Sequence, residues 1–340
     1  MNGVLTGLTP APAQVWGAVR LVPLLRDQPV PGLRLHRELS EVDCECQYLP
    51  HAFVLSTTAA YGTQLGGGPP TGMEVRSRRR RPRFLPLPVA AEGYLTLQSG
   101  RPPIAWREWT NATVGRGLSP RADAAYKGTE IAGLDDALRV FELHPRQCGV
   151  ALYLADALAG VFVTPHPDDY RLLHPTLLQD MYGEPLFQYA HLFPPVQDFT
   201  PRLEASKVST VDDLRSEVAR ARDEWGRFHD LMAGGLLQSR VVPHRVRALG
   251  PYTLARLVPP YALDVDNHVG EAITDAEGRI AYLTTLRLSA AQTRRGHLLS
   301  TLYAHDWNLD ETAAALGTDR AGVAQRLERA GFAHLLRPGS

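Results

Sequence analysis

The residues best suited to touching another molecule lie near the C-terminal end. Gln325, Arg326 and Arg329 sit at helical spacing, just after Asp319, Arg320 and Gly322. A glutamine amide can pair with the edge of adenine, and an arginine fork can read guanine or hold a phosphate. On a helix, Ala321, Gly322, Gln325 and Arg329 share one side with Arg326 flanking, while Val323, Leu327 and Ala330 share the other. That distribution describes a helix packed on its apolar side and offered to a duplex on its polar side. A second concentration of charge, Arg76, Arg78, Arg79, Arg80, Arg81 and Arg83, follows a Gly/Pro-rich stretch between Gly62 and Gly72. Such a run either stays hydrated in a loop or meets a polyanion or an acidic protein, with Phe84 placed to stack. A third set, His166, Asp168 and Asp169, supplies the ligand types and the carboxylate base of hydrolytic zinc chemistry. The same residues also read as a helix start, with Pro167 in the first turn and acids toward the positive end of the helix dipole.

Other chemistry is poorly represented. Cys44 and Cys46 are separated by one residue, which is tight for a zinc pair, and no second pair follows. There is no Gly-x-Ser-x-Gly elbow, no phosphate-binding glycine loop and no dinucleotide fingerprint. No catalytic residue is assigned and no cofactor is expected.

These residues need a scaffold. A chain of 340 residues, 44% hydrophobic, is long enough for two or three domains. The formal net charge is zero, from 36 basic and 36 acidic residues, so any contact with nucleic acid must come from local patches. Three cysteines make an odd count in a long chain, which suits a reducing compartment better than a disulfide framework. The first residues carry no basic cluster before an apolar core. The longest apolar stretch, from Val150 to Val163, is broken by Asp156 and falls short of the ~20 residues of a membrane span. A cytoplasmic protein without membrane contact is expected.

Along the chain, Ala18–Leu25 and Ala52–Thr58 read as strands, and Pro120–His144 as a helix through Ile131, Leu134, Leu138 and Phe141. Cys148–Leu154 and Ala159–Thr164 form a hairpin about Asp156-Ala157. Tyr170, Leu173, Leu177 and Leu178 then mark the inner face of a helix. Thr210 caps a long, charge-alternating helix from Val211. Strands follow at Val241–Val246, Leu254–Val258, Val269–Thr274 and Ile280–Leu288, the last two joined by Asp275-Ala276-Glu277-Gly278. Near the end, Asn308 and Glu311 form a capping box, Gly317 ends that helix and Thr318 caps the next. The fold class expected is α+β. A mixed or antiparallel sheet with helices fills residues 1–198. A helix and a small β-hairpin region occupy 199–288, and an all-α trihelical unit occupies 289–340.

Two domain resemblances and one short motif sharpen this. Trp307-Asn308, Ala313-Ala314, Leu316-Gly317, Arg320, Val323, Arg326-Leu327 and Gly331 resemble the Fis-type helix-turn-helix of bacterial regulators. That resemblance implies DNA binding, usually as a dimer. Gln147-Cys148-Gly149 through Leu158-Ala159-Gly160, followed by Pro167-Asp168-Asp169-Tyr170 through Asp180-Met181-Tyr182, looks like the closing segment of the ARG and rhodanese-phosphatase-superfamily-associated protein domain. Val22-Pro23-Leu24-Leu25 fits its early strand, so the resemblance spans residues 15–195. His166-Pro167-Asp168-Asp169 is also similar to the metal motif of zinc-dependent sugar deacetylases, with Tyr170 where a glutamate is expected. The combined expectation is a bacterial DNA-binding regulator, a homodimer on duplex DNA, whose N-terminal domain senses or assembles. Two alternatives stand beside it. One is a non-catalytic adaptor of a conflict or stress-response system that docks protein partners. The other is an enzyme acting on ADP-ribose-like or sugar substrates.

Overall fold

A computed structural model describes residues 7–34, 46–49, 52–56, 82–84, 131–197, 203–238 and 241–336. The chain begins with strands β1 (Thr9–Pro10), β2 (Gln14–Trp16) and β3 (Val19–Leu25). Strands β4 (Cys46–Leu49), β5 (Ala52–Ser56) and β6 (Pro82–Phe84) make a small antiparallel sheet of their own. A single helical turn, α1 (Leu134–Ala137), precedes the hairpin of β7 (Gln147–Leu154) and β8 (Ala157–Val163). Helices α2 (Pro167–Thr176), α3 (Gly183–Leu192) and the long α4 (Val211–Gln238) follow. Then come β9 (Val242–Leu249), β10 (Tyr252–Val258), β11 (His268–Thr274) and β12 (Ile280–Arg287). The chain closes with α5 (Ala290–Ala304), α6 (Leu309–Ala315) and α7 (Arg320–Arg329).

Nine of these strands form one sheet in the order β1-β3-β7-β8-β12-β11-β10-β9, with β2 also on β3, and every pairing is antiparallel. This corrects the expected fold class. The sheet is not mixed, and the region after residue 199 does not hold a small hairpin apart. The joint is β8 against β12, where Val163 lies opposite Leu283 and Gly160 opposite Leu286. Both strands are apolar on both faces and almost wholly buried, so neither can serve as a solvent-facing edge; pairing them removes both edges at once. The three C-terminal helices exist, but they belong to a molecule dominated by this sheet. The all-α helix-turn-helix expected as a third unit is therefore not the class that the chain presents. Residue spacing reports where helices form, not how a whole molecule is built around them.

The core follows from strand alternation. On one face Val19, Leu21, Val150, Leu152, Phe162, Tyr282 and Leu286 meet Tyr170, Leu173 and Leu177 of α2 and its continuation, and Leu186 of α3. On the other, Val22, Leu24, Ala151, Tyr153, Val161 and Leu283 meet Trp225 of α4. The β7–β8 turn uses Ala155 and Asp156 at φ of 47° and 58°, the left-handed pair that a two-residue hairpin of matching twist requires. The helix expected over 120–144 is one turn within the described residues, followed by a 3-10 turn at Leu138–Val140. Gly133 at φ 79° sets its start and extended Phe141 its end. Leu134, Leu138 and Phe141 are nonetheless all buried, so the apolar spacing survives without the length.

The C-terminal helices are tied to the sheet through the segment between β10 and β11. Tyr261, at φ 52°, lays its ring against Gly296 of α5; a Cβ on Gly296 would stand 2.4 Å from the ring. Asn267 holds that segment by donating to the carbonyls of Ala262 and Val265.

Candidate nucleic-acid interface

Each C-terminal helix starts at a defined cap. Ser289 Oγ accepts from the Gln292 backbone N–H at 3.2 Å, and Gln292 Oε1 accepts in return from the Ser289 N–H at 2.9 Å. Asn308 Oδ1 accepts from the N–H groups of Asp310 and Glu311, while its amide donates to Glu311 Oε1 at 3.0 Å. Glu311 thus grips the cap side chain rather than the cap backbone. Gly317, at φ 60°, lets the chain reverse after α6. The cap of α7 is Asp319, not Thr318. Its Oδ1 accepts from the Gly322 N–H at 2.7 Å. Leu298, Leu299, Leu302, Ala313, Val323, Leu327 and Phe332 form the apolar centre that these caps enclose.

The expected contact residues separate by role. Asp319 is a cap, so its charge is engaged with the backbone. Gly322 is half-buried beneath it, where a Cβ would meet Thr318 Oγ1 at 2.3 Å. Arg320 is exposed but pairs with Asp310 at 3.1 Å across the two helix starts. Gln325, Arg326 and Arg329 are all exposed on α7, opposite the sealed side chains of Val323 and Leu327. Among the described residues neither Arg326 nor Arg329 has a carboxylate within ion-pair reach, although Glu328 is exposed on the same helix.

The other two sets fare differently. Arg76, Arg78, Arg79, Arg80 and Arg81 lie outside the described residues, as do Cys44 and Glu45; Arg83 lies in β6, opposite Leu55. His166, Asp168 and Asp169 sit at the start of α2. His166 Nδ1 accepts from the Asp168 N–H at 3.1 Å, which makes the histidine the helix cap. Asp169 is fully buried and pairs with Arg34 at 3.2 Å, while Asp168 faces Arg171 at 3.5 Å. The carboxylate oxygens are committed to arginines and the His166 ring nitrogen to the backbone, the helix-start arrangement that the sequence also allowed. Among the described residues no group of three His, Cys, Asp or Glu side chains is placed to hold a metal ion.

Two buried polar features were not assembled from the sequence, although Tyr170 was placed on the inner face of its helix. Tyr170 and His174 are one helical turn apart, with the phenol oxygen 2.8 Å from His174 Nδ1. Burial lowers the His174 imidazole to about 4 and pushes the Tyr170 phenol well above its ordinary value, the latter eased by a hydrogen bond to Gln147. Arg26, at the end of β3, is the second. Neither left a signal beyond a polar residue inside an apolar pattern.

A family model, ARPP-2, matches residues 4–250, and the chain belongs to that family. No curated protein and no solved structure matches it. The match corrects both resemblances drawn above. The family is ARPP-2, and its span is 4–250 rather than 15–195, reaching through α4 and β9. No comparison points to a rhodanese-associated domain or to a Fis-type helix-turn-helix. Among the described residues no helix is long and apolar enough to cross a membrane.

Proposed function

We propose that this protein is a cytoplasmic DNA-binding regulator that holds duplex DNA through the exposed side of α7. The observation that carries the reading is the arrangement of Gln325, Arg326 and Arg329 along one exposed side of a short, firmly capped helix, with both arginines unspent on carboxylates among the described residues. An exposed arginine without a partner keeps its full capacity to displace counterions from phosphate, and a neighbouring glutamine adds base-edge pairing. Two copies would set two such helices ~34 Å apart, matching successive major grooves. The sheet, by this reading, is the platform that senses or assembles.

Fluorescence anisotropy of the full chain on mixed genomic duplexes tests it. Binding should weaken steeply between low and high salt. Replacing Gln325, Arg326 and Arg329 together by Ala should abolish it, and replacing Arg326 or Arg329 singly should weaken it and flatten the salt slope by about 1. All three side chains are exposed, so the variant should melt like the parent. Equal binding by parent and variant would refute the assignment. So would a parent that ignores duplex DNA at low salt, and capture of a protein at α7 would then favour the adaptor.

A further inference from the structure

We propose that a cleft at one end of the large sheet binds a small organic anion through Arg26, taking its carboxylate or phosphate group. The cleft is bounded by residues 26–31, the β9–β10 turn at Pro251–Tyr252 and the β11–β12 turn at Asp275–Arg279. Its volume is about 680 Å³, within the usual range for a small-molecule site. Arg26 is in its wall and only 6% exposed. Its Nη2 donates to the Ile280 carbonyl, and its guanidinium lies beside the buried Cys148 thiol. Its Nε has no hydrogen-bond partner, and no carboxylate lies within ion-pair reach of it among the described residues.

The acids around the cleft are already committed. Asp27 pairs with Arg146 at 2.6 Å. Asp275 Oδ2 takes Arg279 Nε at 2.5 Å, and its Oδ1 accepts from the N–H groups of Glu277 and Arg279. Glu277 pairs with the same Arg279 at 3.2 Å. Arg26 is therefore the cation in the wall that no carboxylate pairs directly: the Cys148 thiol and the Ile280 carbonyl touch it, and Asp275, itself held by Arg279, acts on it only from beyond ion-pair reach. A buried guanidinium in that position is costly until an anion reaches it, and its fork suits a two-oxygen group. Burial already presses its affinity for its proton downward, the same cost in another form. Pro29, Val30 and Pro31 supply an apolar wall for the organic part, and Tyr252 is held in place by its hydroxyl donating to the Pro31 carbonyl.

This inference does not depend on the DNA reading. Calorimetric titration of the full chain with acetate and with inorganic phosphate, at matched ionic strength, tests it. One of the two should bind saturably at one site per chain, and which one identifies the group. Arg26→Met should weaken that binding about tenfold or more. Arg326→Ala and Arg329→Ala should bind as the parent does, whether or not DNA binding is lost. Should Arg26→Met fail to fold, Arg26→Lys keeps the charge but not the fork, and weaker binding is expected from it. The idea is overturned if neither anion saturates, if Arg26→Met binds like the parent, or if the lysine variant is indistinguishable from it.

Discussion

At the scale of single residues, the polar groups inside the core set the response to pH. His174 is held near 4 by burial, against an ordinary value of 6.5, so in the folded chain it stays neutral where an unfolded one would be protonated. Between those values the unfolded state binds more protons, and stability rises with pH. The contribution is therefore complete above pH 6.5 and is lost as pH falls toward about 4, by at most about 3 kcal/mol. His268, buried with its Nε2 2.9 Å from the Leu158 carbonyl, is shifted in the same direction. Urea unfolding at a series of pH values should show this slope, and His174→Gln should flatten it. A slope unchanged in the variant would move its origin elsewhere. At this scale the exposed arginine and glutamine of α7 were legible, because helical spacing alone says which side chains a packed helix turns outward. His174 and Arg26 were not, because burial of a polar group depends on what folds over it.

At the scale of elements, caps and turns govern the C-terminal helices. Asp319 closes the start of α7 by accepting from Gly322. Asp319→Ala should cost about 1 kcal/mol, and the loss should appear as fraying of α7 in hydrogen exchange while the sheet is protected as before. If the sheet amides exchange faster too, the cap is not a local device. Thr318→Ala, at the position that the sequence assigned as the cap, should cost less. The strands and hairpins and the Asn308 cap were readable, since alternation, turn residues and Asn before an apolar run are local signals; the cap of α7 was placed one residue early, at Thr318 rather than Asp319. The length of α1 was not. Its apolar spacing was satisfied by one turn plus an extended Phe141, and spacing does not distinguish that from a continuous helix.

At the scale of the whole molecule, two joints make one body from segments far apart in sequence. One is β8 on β12. The other is Tyr261 against Gly296, which fastens α5 beneath the sheet. Gly296→Ala forces a methyl group to within 2.4 Å of the ring and should destabilise by about 1–3 kcal/mol. Because the strain is at the joint, limited proteolysis should cut near Leu288–Ala290 sooner in this variant than in the parent. Tyr261→Ala in the same chain should remove that clash, though not restore the lost packing. Cleavage unchanged by Gly296→Ala would mean that α5 is held by other contacts.

Local order and solvent exposure followed from the residues themselves: which segments alternate, which helices are capped, and which arginines of the last helix face outward. These depend on neighbours within a few positions, so a linear reading reaches them. Only the tertiary structure decided that β3, β7 and β8 share one antiparallel sheet with β9–β12, that Asp169 belongs to Arg34, and that Arg26 lines a cleft without a direct carboxylate partner among the described residues. Those outcomes rest on pairings across more than a hundred residues, where several apolar strands could have met and burial of both faces chose among them.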